Sequence, residues 1–268
     1  WQQSGQSLVV HMVFPKSNFL PLLTLVCVLS FTVIANGQAD LDTKIDSTFS
    51  SQNNNNSPGA AVIVIQNGKL LAKKAYGMAS IELKVPFDHR SVVRINYSEG
   101  REFISIAAVL MEMDGKVDLN DRVRKYFPEL PAWSDNVTVW DLLNHRSGFV
   151  DEWATALLTQ ANMANRFDKS QFLRLLYTQP RPEIVPGKGY MYSNSDFGLL
   201  RLVLEKASGE KLSAWMQKRI FEPLKMHSTR QWDDQLAVIP NFARSYSDNG
   251  DNKVKIKYAD KTSPASNY

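Results

Sequence analysis

The sequence predicts a mixed α/β fold in which a short antiparallel β region precedes a long, mainly helical region. Two β-rich runs, residues 60–66 and 69–77, flank Asn67-Gly68, which is the strongest short-range hairpin signal. From residue 101 onward, apolar residues recur at helical spacing. The chain has 268 residues, 44% of them hydrophobic and 22% charged, which suits one large domain or two small ones.

The elements follow in chain order. Leu41, Ile45 and Phe49 are spaced by four, which predicts a short amphipathic helix over residues 40–51. The alternating run KVKIKY near the end of the chain predicts an edge strand. Between hairpin and tail we predict helices over residues 101–114, 138–145, 169–177, 195–209 and 212–224, the last of them interrupted by Pro223.

The hairpin has too few partners in this sequence. A two-stranded hairpin is marginal alone and needs more strands or a packing surface. Its apolar residues, among them Val62, Val64, Leu70 and Leu71, fit a larger sheet, yet few other segments have strand character. We therefore expect the sequence to be a fragment of a longer protein, with its sheet incomplete in this chain.

Residues 12–39 have the features of a secretory signal peptide. A basic start after Met12 is followed by the apolar run FLPLLTLVCVLSFTVIA, residues 19–35, and then by small residues. The run is at the short limit for a membrane span of about 20 residues, so an uncleaved anchor is the alternative. Residues 1–11 are interpreted as an upstream extension. We expect a periplasmic or secreted protein that contacts a membrane only through an uncleaved N-terminal segment.

Composition excludes several classes of function. The 31 Lys and Arg residues are scattered, so no nucleic-acid partner is predicted. The single cysteine, Cys27, provides neither an internal disulfide nor a cysteine-based metal site. The four histidines lie far apart and form no helical ligand pair, so we expect no metal site. We expect no organic cofactor either. G-x-S-x-G, H-E-x-x-H and the phosphate-binding loop are absent.

Ser98 and Arg101, in RINYSEGREF, lie at the predicted start of the first long helix. The first turn of a helix carries unpaired N–H groups and partial positive charge, so a serine there can use its own N–H to hold an oxyanion. A residue three positions on lies on the same helix face, and a Ser-x-x-Lys pair uses that geometry for acyl transfer. The alternative is that Ser98 is only an N-cap.

Tyr192 and Asn194, in GYMYSNSDFGLL, lie in a loop that leads into a helix and are two residues apart, so their side chains can point the same way. A phenol near cations can shuttle a proton, and an amide can hold a substrate carbonyl. The alternative is that Ser193 or Asn194 caps the following helix.

Taken together, these segments resemble the serine β-lactamase and penicillin-binding-protein superfamily, and most of all its class C β-lactamase, D-alanyl-D-alanine carboxypeptidase and esterase branch. The resemblance runs from about Ser57 to the end. It implies an α/β plus all-α fold, in which an antiparallel sheet flanked by helices lies beside a helical domain and the active site lies at their junction. Residues 40–268 are then one partial domain, of which about 98–240 is the mainly helical part. The matching segments include SPGAAVIVIQNGKLLAKKAYGMAS, VVRINYSEGREFISIAAVLMEM, VTVWDLLNHRSGF and PGKGYMYSNSDFGLLRLVLEKASG.

By this resemblance Ser98 matches the acylated serine, Arg101 falls where the family has lysine, and Tyr192 and Asn194 match its second motif. There are two departures. Arginine stays protonated and cannot serve as the base. The third motif, Lys or His followed by Ser/Thr-Gly, is absent. Lys261-Thr262-Ser263 is similar but is followed by proline, which removes a strand hydrogen-bond donor.

We therefore expect a secreted serine hydrolase that acts through an acyl-enzyme on an ester or amide carbonyl of a small-molecule or peptide substrate. In this hypothesis Ser98 attacks, Tyr192 takes the proton, Arg101 favours the phenolate by its charge, and Asn194 orients the substrate. Because of the two departures, the alternative is a non-catalytic binding or scaffold protein that keeps the fold.

Overall fold

The computed structural model describes residues 39–95, 97–158, 169–231, 233, 237–248 and 254–256. The predicted upstream extension, nearly all of the predicted signal peptide and the Lys261-Thr262-Ser263 stretch lie outside these residues, so those interpretations stay predictions. Across the described ranges, every helix is too short or too polar to cross a membrane.

The predicted hairpin is confirmed. Strands β1 (Ala60–Gln66) and β2 (Lys69–Tyr76) pair antiparallel, with a register shift between Val64 and Ile65. The turn residues Asn67 and Gly68 have φ values of 51° and 73°. Positive φ at both central positions is what the type I′ hairpin turn requires, and asparagine followed by glycine adopts it at the lowest steric cost.

A first helix, α1 (residues 39–48), packs on one face of this hairpin and confirms the predicted amphipathic helix. Ile45, Ala72 and Tyr76 form a small buried cluster there, and Phe49 stacks on the Tyr76 ring with a centroid distance of 5.1 Å. The other face of the hairpin is exposed, with three large apolar side chains more than half accessible: Ile63, Ile65 and Leu70.

The other described strands form two short antiparallel pairs. Strands β3 (Met78–Ser80) and β4 (Val85–Pro86) were not anticipated from the sequence, whereas β6 (Val254–Ile256), which pairs with β5 (Tyr246–Asp248), lies within the predicted KVKIKY strand. In the part of the chain that the structure describes, each of the three pairs remains two-stranded.

Within the described residues, seven further α-helices form most of the remaining structure. The first begins four residues earlier than predicted, and the predicted helix at 212–224 is α-helical only to Met216 and then continues as a π-helix, Gln217–Phe221. Two of the shorter helices, α3 (Val123–Tyr126) and α5 (Glu152–Leu158), were not predicted. The bounds are α2 (Tyr97–Met113), α3 (Val123–Tyr126), α4 (Val139–Leu143), α5 (Glu152–Leu158), α6 (Lys169–Tyr177), α7 (Asn194–Ser208) and α8 (Leu212–Met216), with 3₁₀ turns at Ser50–Gln52 and Ala132–Ser134.

Helix α7 runs through the middle of the helical core. The central turns of α7 are apolar on nearly every side, as expected of a helix inside a core. Five of its apolar side chains are almost completely inaccessible: Leu199, Leu200, Leu202, Val203 and Leu204. Helix α2 packs against α7, and Ala107, Ala108 and Met111 of α2 are buried in the same apolar core. This packing places the first turn of α7 beside the second turn of α2, which is where the candidate site lies.

Candidate functional site

Arg101 is the centre of the site. Its side chain rises from the second turn of α2 and is only 9% exposed. Its Nη1 donates to Tyr192 Oη at 2.8 Å and its Nη2 donates to Asn194 Oδ1 at 2.5 Å, while the Tyr192 hydroxyl donates to the same Asn194 oxygen at 3.1 Å. The structure thus brings together three of the four predicted site residues, although more than 90 positions of the chain separate Arg101 from Asn194.

The fourth residue, Ser98, is the second residue of α2, three positions before Arg101. Because the helix begins at Tyr97, Ser98 lies within its first turn and not at the cap position. The Ser98 side chain is outside the described residues, so its role as a nucleophile stays a prediction. Ser193 does occupy the N-cap position of α7, yet its hydroxyl does not cap that helix and instead donates to the Val150 carbonyl at 3.3 Å.

The Arg101 guanidinium also lies against two aromatic rings. Its Cζ is 4.8 Å from the Tyr192 ring centre and 4.9 Å from that of Phe197. Arginine remains protonated in proteins, so a permanent positive charge faces the phenol and the amide. Such a charge strengthens the hydrogen bonds that the guanidinium donates to Tyr192 Oη and Asn194 Oδ1, and it polarises the Asn194 carbonyl.

Asp151 determines which way the Asn194 amide points. Its Oδ2 accepts hydrogen bonds from the backbone N–H of Asn194 at 2.6 Å and from Asn194 Nδ2 at 2.7 Å. Its Oδ1 accepts from the Ala154 N–H at 2.7 Å and so caps α5. With a carboxylate on the amide nitrogen and a guanidinium on the amide oxygen, Asn194 has one favourable orientation.

A buried pair links the starts of α5 and α7 just behind Asn194. The Glu152 N–H donates to Ser195 Oγ at 3.0 Å, and Ser195 Oγ donates back to Glu152 Oε2 at 2.6 Å. Both residues are almost inaccessible. Burial raises the pKa of Glu152 to about 7, since removing the carboxylate from water disfavours its charged form.

A second polar cluster lies on the other side of Tyr192. The His145 ring packs against the Tyr192 ring with a centroid distance of 4.8 Å and against Phe197 at 5.3 Å. Asp196 is completely buried beneath it and accepts a hydrogen bond from the Ser147 hydroxyl. Burial raises the pKa of Asp196 to about 6.

Sequence reasoning missed His145, Asp151, Glu152 and Asp196 as parts of this site. Each lies in a loop or in the first turn of a helix, where no spacing rule singles it out. One signal was available, because His145 is in the segment VTVWDLLNHRSGF, which carries part of the family resemblance.

The site is distinct from the cavity of about 400 Å³ at the other end of α2. That cavity is lined by Glu112, Gly115, Lys116, Val117, Asp118, Asp121 and Lys125. No group of three or more His, Cys, Asp or Glu side chains suited to a metal ion occurs within the described ranges.

Comparison with known proteins identifies relatives. A family model described as Beta-lactamase matches residues 42–265. The chain is 29% identical over 189 residues to penicillin-binding protein 4* of Bacillus subtilis (strain 168), which covers 69% of this chain and 41% of the relative. It is 28% identical over 169 residues to a D-aminopeptidase of Gluconobacter oxydans (strain 621H), which covers 63% of this chain and 31% of the relative. The chain therefore spans less than half the length of these relatives.

Among solved structures, the D-amino acid amidase from Ochrobactrum anthropi SV3, complexed with L-phenylalanine amide, is similar with a TM-score of 0.62 and 26% identity. The similarity covers 78% of this chain and 59% of the amidase. It agrees with the predicted fold class, in which antiparallel strands accompany a helical domain.

Proposed function

This chain belongs to the Beta-lactamase family, and on that premise we propose that it is a secreted serine hydrolase that acts through an acyl-enzyme on an ester or amide carbonyl. The observation that carries the proposal is the convergence of Arg101, Tyr192 and Asn194 beside the first turn of α2, which contains Ser98. A nucleophile, a proton acceptor and a carbonyl-orienting amide are the groups that acyl transfer requires.

In the proposed reaction the Ser98 hydroxyl oxygen attacks the substrate carbonyl carbon while Tyr192, as phenolate, takes the hydroxyl proton. The bond to the leaving alcohol or amine breaks, and Tyr192 returns the proton to that leaving group. Water then attacks the acyl-enzyme in the same way, releasing the acid and regenerating Ser98. Arg101 stays protonated throughout and donates a hydrogen bond to the Tyr192 oxygen.

The proposed substrate is a small molecule or a peptide. The names of the relatives, a D-aminopeptidase and a D-amino acid amidase, favour amides of amino acids or short peptides, and the penicillin-binding relative adds β-lactams to the candidates. A panel of amino acid p-nitroanilides, p-nitrophenyl esters and a chromogenic β-lactam would distinguish these classes by initial rate.

Single substitutions test the proposed residues in this panel. Ser98→Ala should abolish hydrolysis, and Tyr192→Phe should reduce kcat by a factor of about 10² to 10⁴, the usual contribution of a general base. Ser105→Ala, on the same helix, and Tyr190→Phe, at a 70% exposed tyrosine, are the matched controls and should leave the rates unchanged. Full activity in the Ser98→Ala enzyme would contradict the acyl-enzyme mechanism.

Secretion is tested separately by expressing the full chain in a bacterial host and sequencing the N-terminus of the exported product. Cleavage after Gly37 or Ala39 is expected, since small residues occupy the positions that signal peptidase requires there. A product that stays in the membrane with residues 19–35 attached would support the anchor instead.

One observation favours a second candidate, a non-catalytic binding protein with the same fold. Arg101 already donates to both Tyr192 Oη and Asn194 Oδ1, so the two groups proposed to serve the substrate are engaged by a cation that cannot act as a base. Arg101→Lys distinguishes the candidates. Hydrolysis that appears only in this variant would show that the wild-type protein lacks its base, and a folded wild-type protein inert toward the whole panel would favour binding alone.

A further inference from the structure

His145, on a different loop, accepts hydrogen bonds from the backbone on both sides of Tyr192. The N–H of Met191 donates to the backbone carbonyl of His145 at 2.9 Å, and the N–H of Ser193 donates to the side-chain Nδ1 of His145 at 3.3 Å. Tyr192 lies between these two hydrogen bonds and is itself 46% exposed. The backbone on both sides of the phenol is therefore positioned by His145.

The His145 ring also supports the phenol directly. It lies between Tyr192, at a centroid distance of 4.8 Å, and Phe197, at 5.3 Å, while the edge of Tyr190 approaches it at 6.0 Å. Arg101 contacts the same Tyr192 and Phe197 rings. Tyr192 is thus held between a cation that bonds its hydroxyl and an imidazole that packs on its ring.

His145 Nδ1 has two polar neighbours. It lies 3.3 Å from the Ser193 nitrogen, a contact with hydrogen-bond geometry in which the Ser193 N–H donates, and 3.5 Å from Asp196 Oδ2. Asp196 in turn is held from below by the Ser147 hydroxyl.

We propose that His145 is a positioning residue for the reaction: it accepts the Ser193 N–H at Nδ1 and packs on Tyr192, and so keeps the phenol oxygen within hydrogen-bond reach of Arg101. This inference rests on the proposed hydrolase function. Neither the metal-ligand nor the acid–base role that histidine often has is needed, because its action passes through the backbone at Ser193.

The backbone conformation of His145 allows two substitutions that should not strain the chain. Its φ is +53°, a region that glycine and asparagine tolerate better than other residues. His145→Gly removes the ring and the acceptor without backbone strain. His145→Asn also tolerates this φ and keeps an acceptor, Oδ1, close to the position of Nδ1. His89→Asn, at an exposed histidine, is the control.

The first readout is kinetic. In His145→Gly we expect kcat to fall between about tenfold and hundredfold, the effect of a displacement of about 1 Å, with KM changed by less than about twofold. His145→Asn should recover most of the lost kcat, and the control should match the wild type. An unchanged kcat in His145→Gly, or a His145→Asn enzyme as slow as the glycine variant, would overturn the inference.

The second readout needs no activity and so separates this inference from the proposed function. Amide hydrogen exchange measured by NMR should show the Ser193 N–H protected in the wild type and in His145→Asn, and exchanging at least about tenfold faster in His145→Gly. If the wild type hydrolyses nothing but this pattern holds, the function is wrong and the positioning of Tyr192 stands. Equal Ser193 protection in the glycine variant and the wild type would refute the positioning.

Discussion

Asp151→Ala should destabilise the protein at the starts of both α5 and α7, where the carboxylate accepts hydrogen bonds. The aspartate carboxylate accepts three hydrogen bonds: two from Asn194, at 2.6 Å and 2.7 Å, and one from the Ala154 N–H at 2.7 Å. The alanine variant therefore loses both the anchor of the Asn194 amide and the N-cap of α5.

The magnitude follows from these two losses. Replacing an N-cap aspartate by alanine costs about 0.5 to 2 kcal/mol. Hydrogen bonds to a charged group contribute about 1.5 to 3 kcal/mol each, but Asp151 is partly exposed, so water replaces much of what the two Asn194 bonds supply. We expect a total loss of about 3 kcal/mol in the free energy of unfolding. For a domain of this size that corresponds to a decrease of roughly 6 to 12 °C in Tm.

The assay is thermal unfolding of the wild type and variants at neutral pH, followed by circular dichroism. Glu102→Ala, which removes an exposed carboxylate from α2, is the control and should shift the unfolding free energy by less than about 0.5 kcal/mol. Asp151→Asn should fall between the two, since its single oxygen can satisfy Ala154 or Asn194 but not both. If Asp151→Ala is as stable as Glu102→Ala, Asp151 does not anchor the site as described.

Three further predictions concern other contacts. Gly148→Ala should destabilise the protein by about 1 to 3 kcal/mol more than Gly115→Ala in urea unfolding, because both glycines have positive φ but only a Cβ at 148 would meet the Ile184 carbonyl, at 2.6 Å. Glu152→Gln should flatten the pH dependence of stability. The pKa of Glu152 is about 7 in the folded protein and 4.5 ordinarily, so the folded state binds its proton more tightly than the unfolded chain does. In the wild type, up to about 3 kcal/mol of the free energy of unfolding is therefore lost as pH rises from about 4.5 through 7. Thr138→Ala should cost about 1 kcal/mol by removing the capping box of α4.

Each of these predictions has a contradicting result. Equal urea midpoints for the two glycine variants would show that the loop at Gly148 yields to the new methyl group. A wild-type protein whose stability does not fall between pH 4.5 and 7, or a Glu152→Gln variant with the same slope, would show that Glu152 keeps its ordinary pKa. For the capping box, Thr48→Ala at an exposed position is the control, and an equal effect of the two substitutions would mean that the cap contributes nothing.

Local sequence signals were sufficient to predict the elements that begin or end at characteristic turn or capping residues. Asn67-Gly68 fixed both strands of the hairpin within a residue, and the glycine at 209 marked the end of α7 correctly. Helices α3 and α5 could not be predicted, because segments of four and seven residues carry too few turns to show a period. The early start of α2 was missed because its first turn, Tyr97 to Gly100, has no apolar periodicity.

The site was predictable only as separate motifs. The sequence pointed to Arg101, Tyr192 and Asn194, but the bonds between them depend on how α2 packs against α7, which periodicity does not specify. His145 and Asp151 act through hydrogen bonds to backbone N–H groups on distant segments. Such contacts depend on loop conformation, and neither residue type nor spacing reveals them.

The most direct test of the central claim is the intact mass of the full chain after reaction with a fluorophosphonate, which modifies activated serines covalently. We predict one adduct per chain, mapped by peptide sequencing to Ser98, absent in Ser98→Ala and retained in Ser105→Ala. A folded protein that forms no adduct, or a Ser98→Ala variant that is still labelled, would contradict the assignment of Ser98 as the nucleophile.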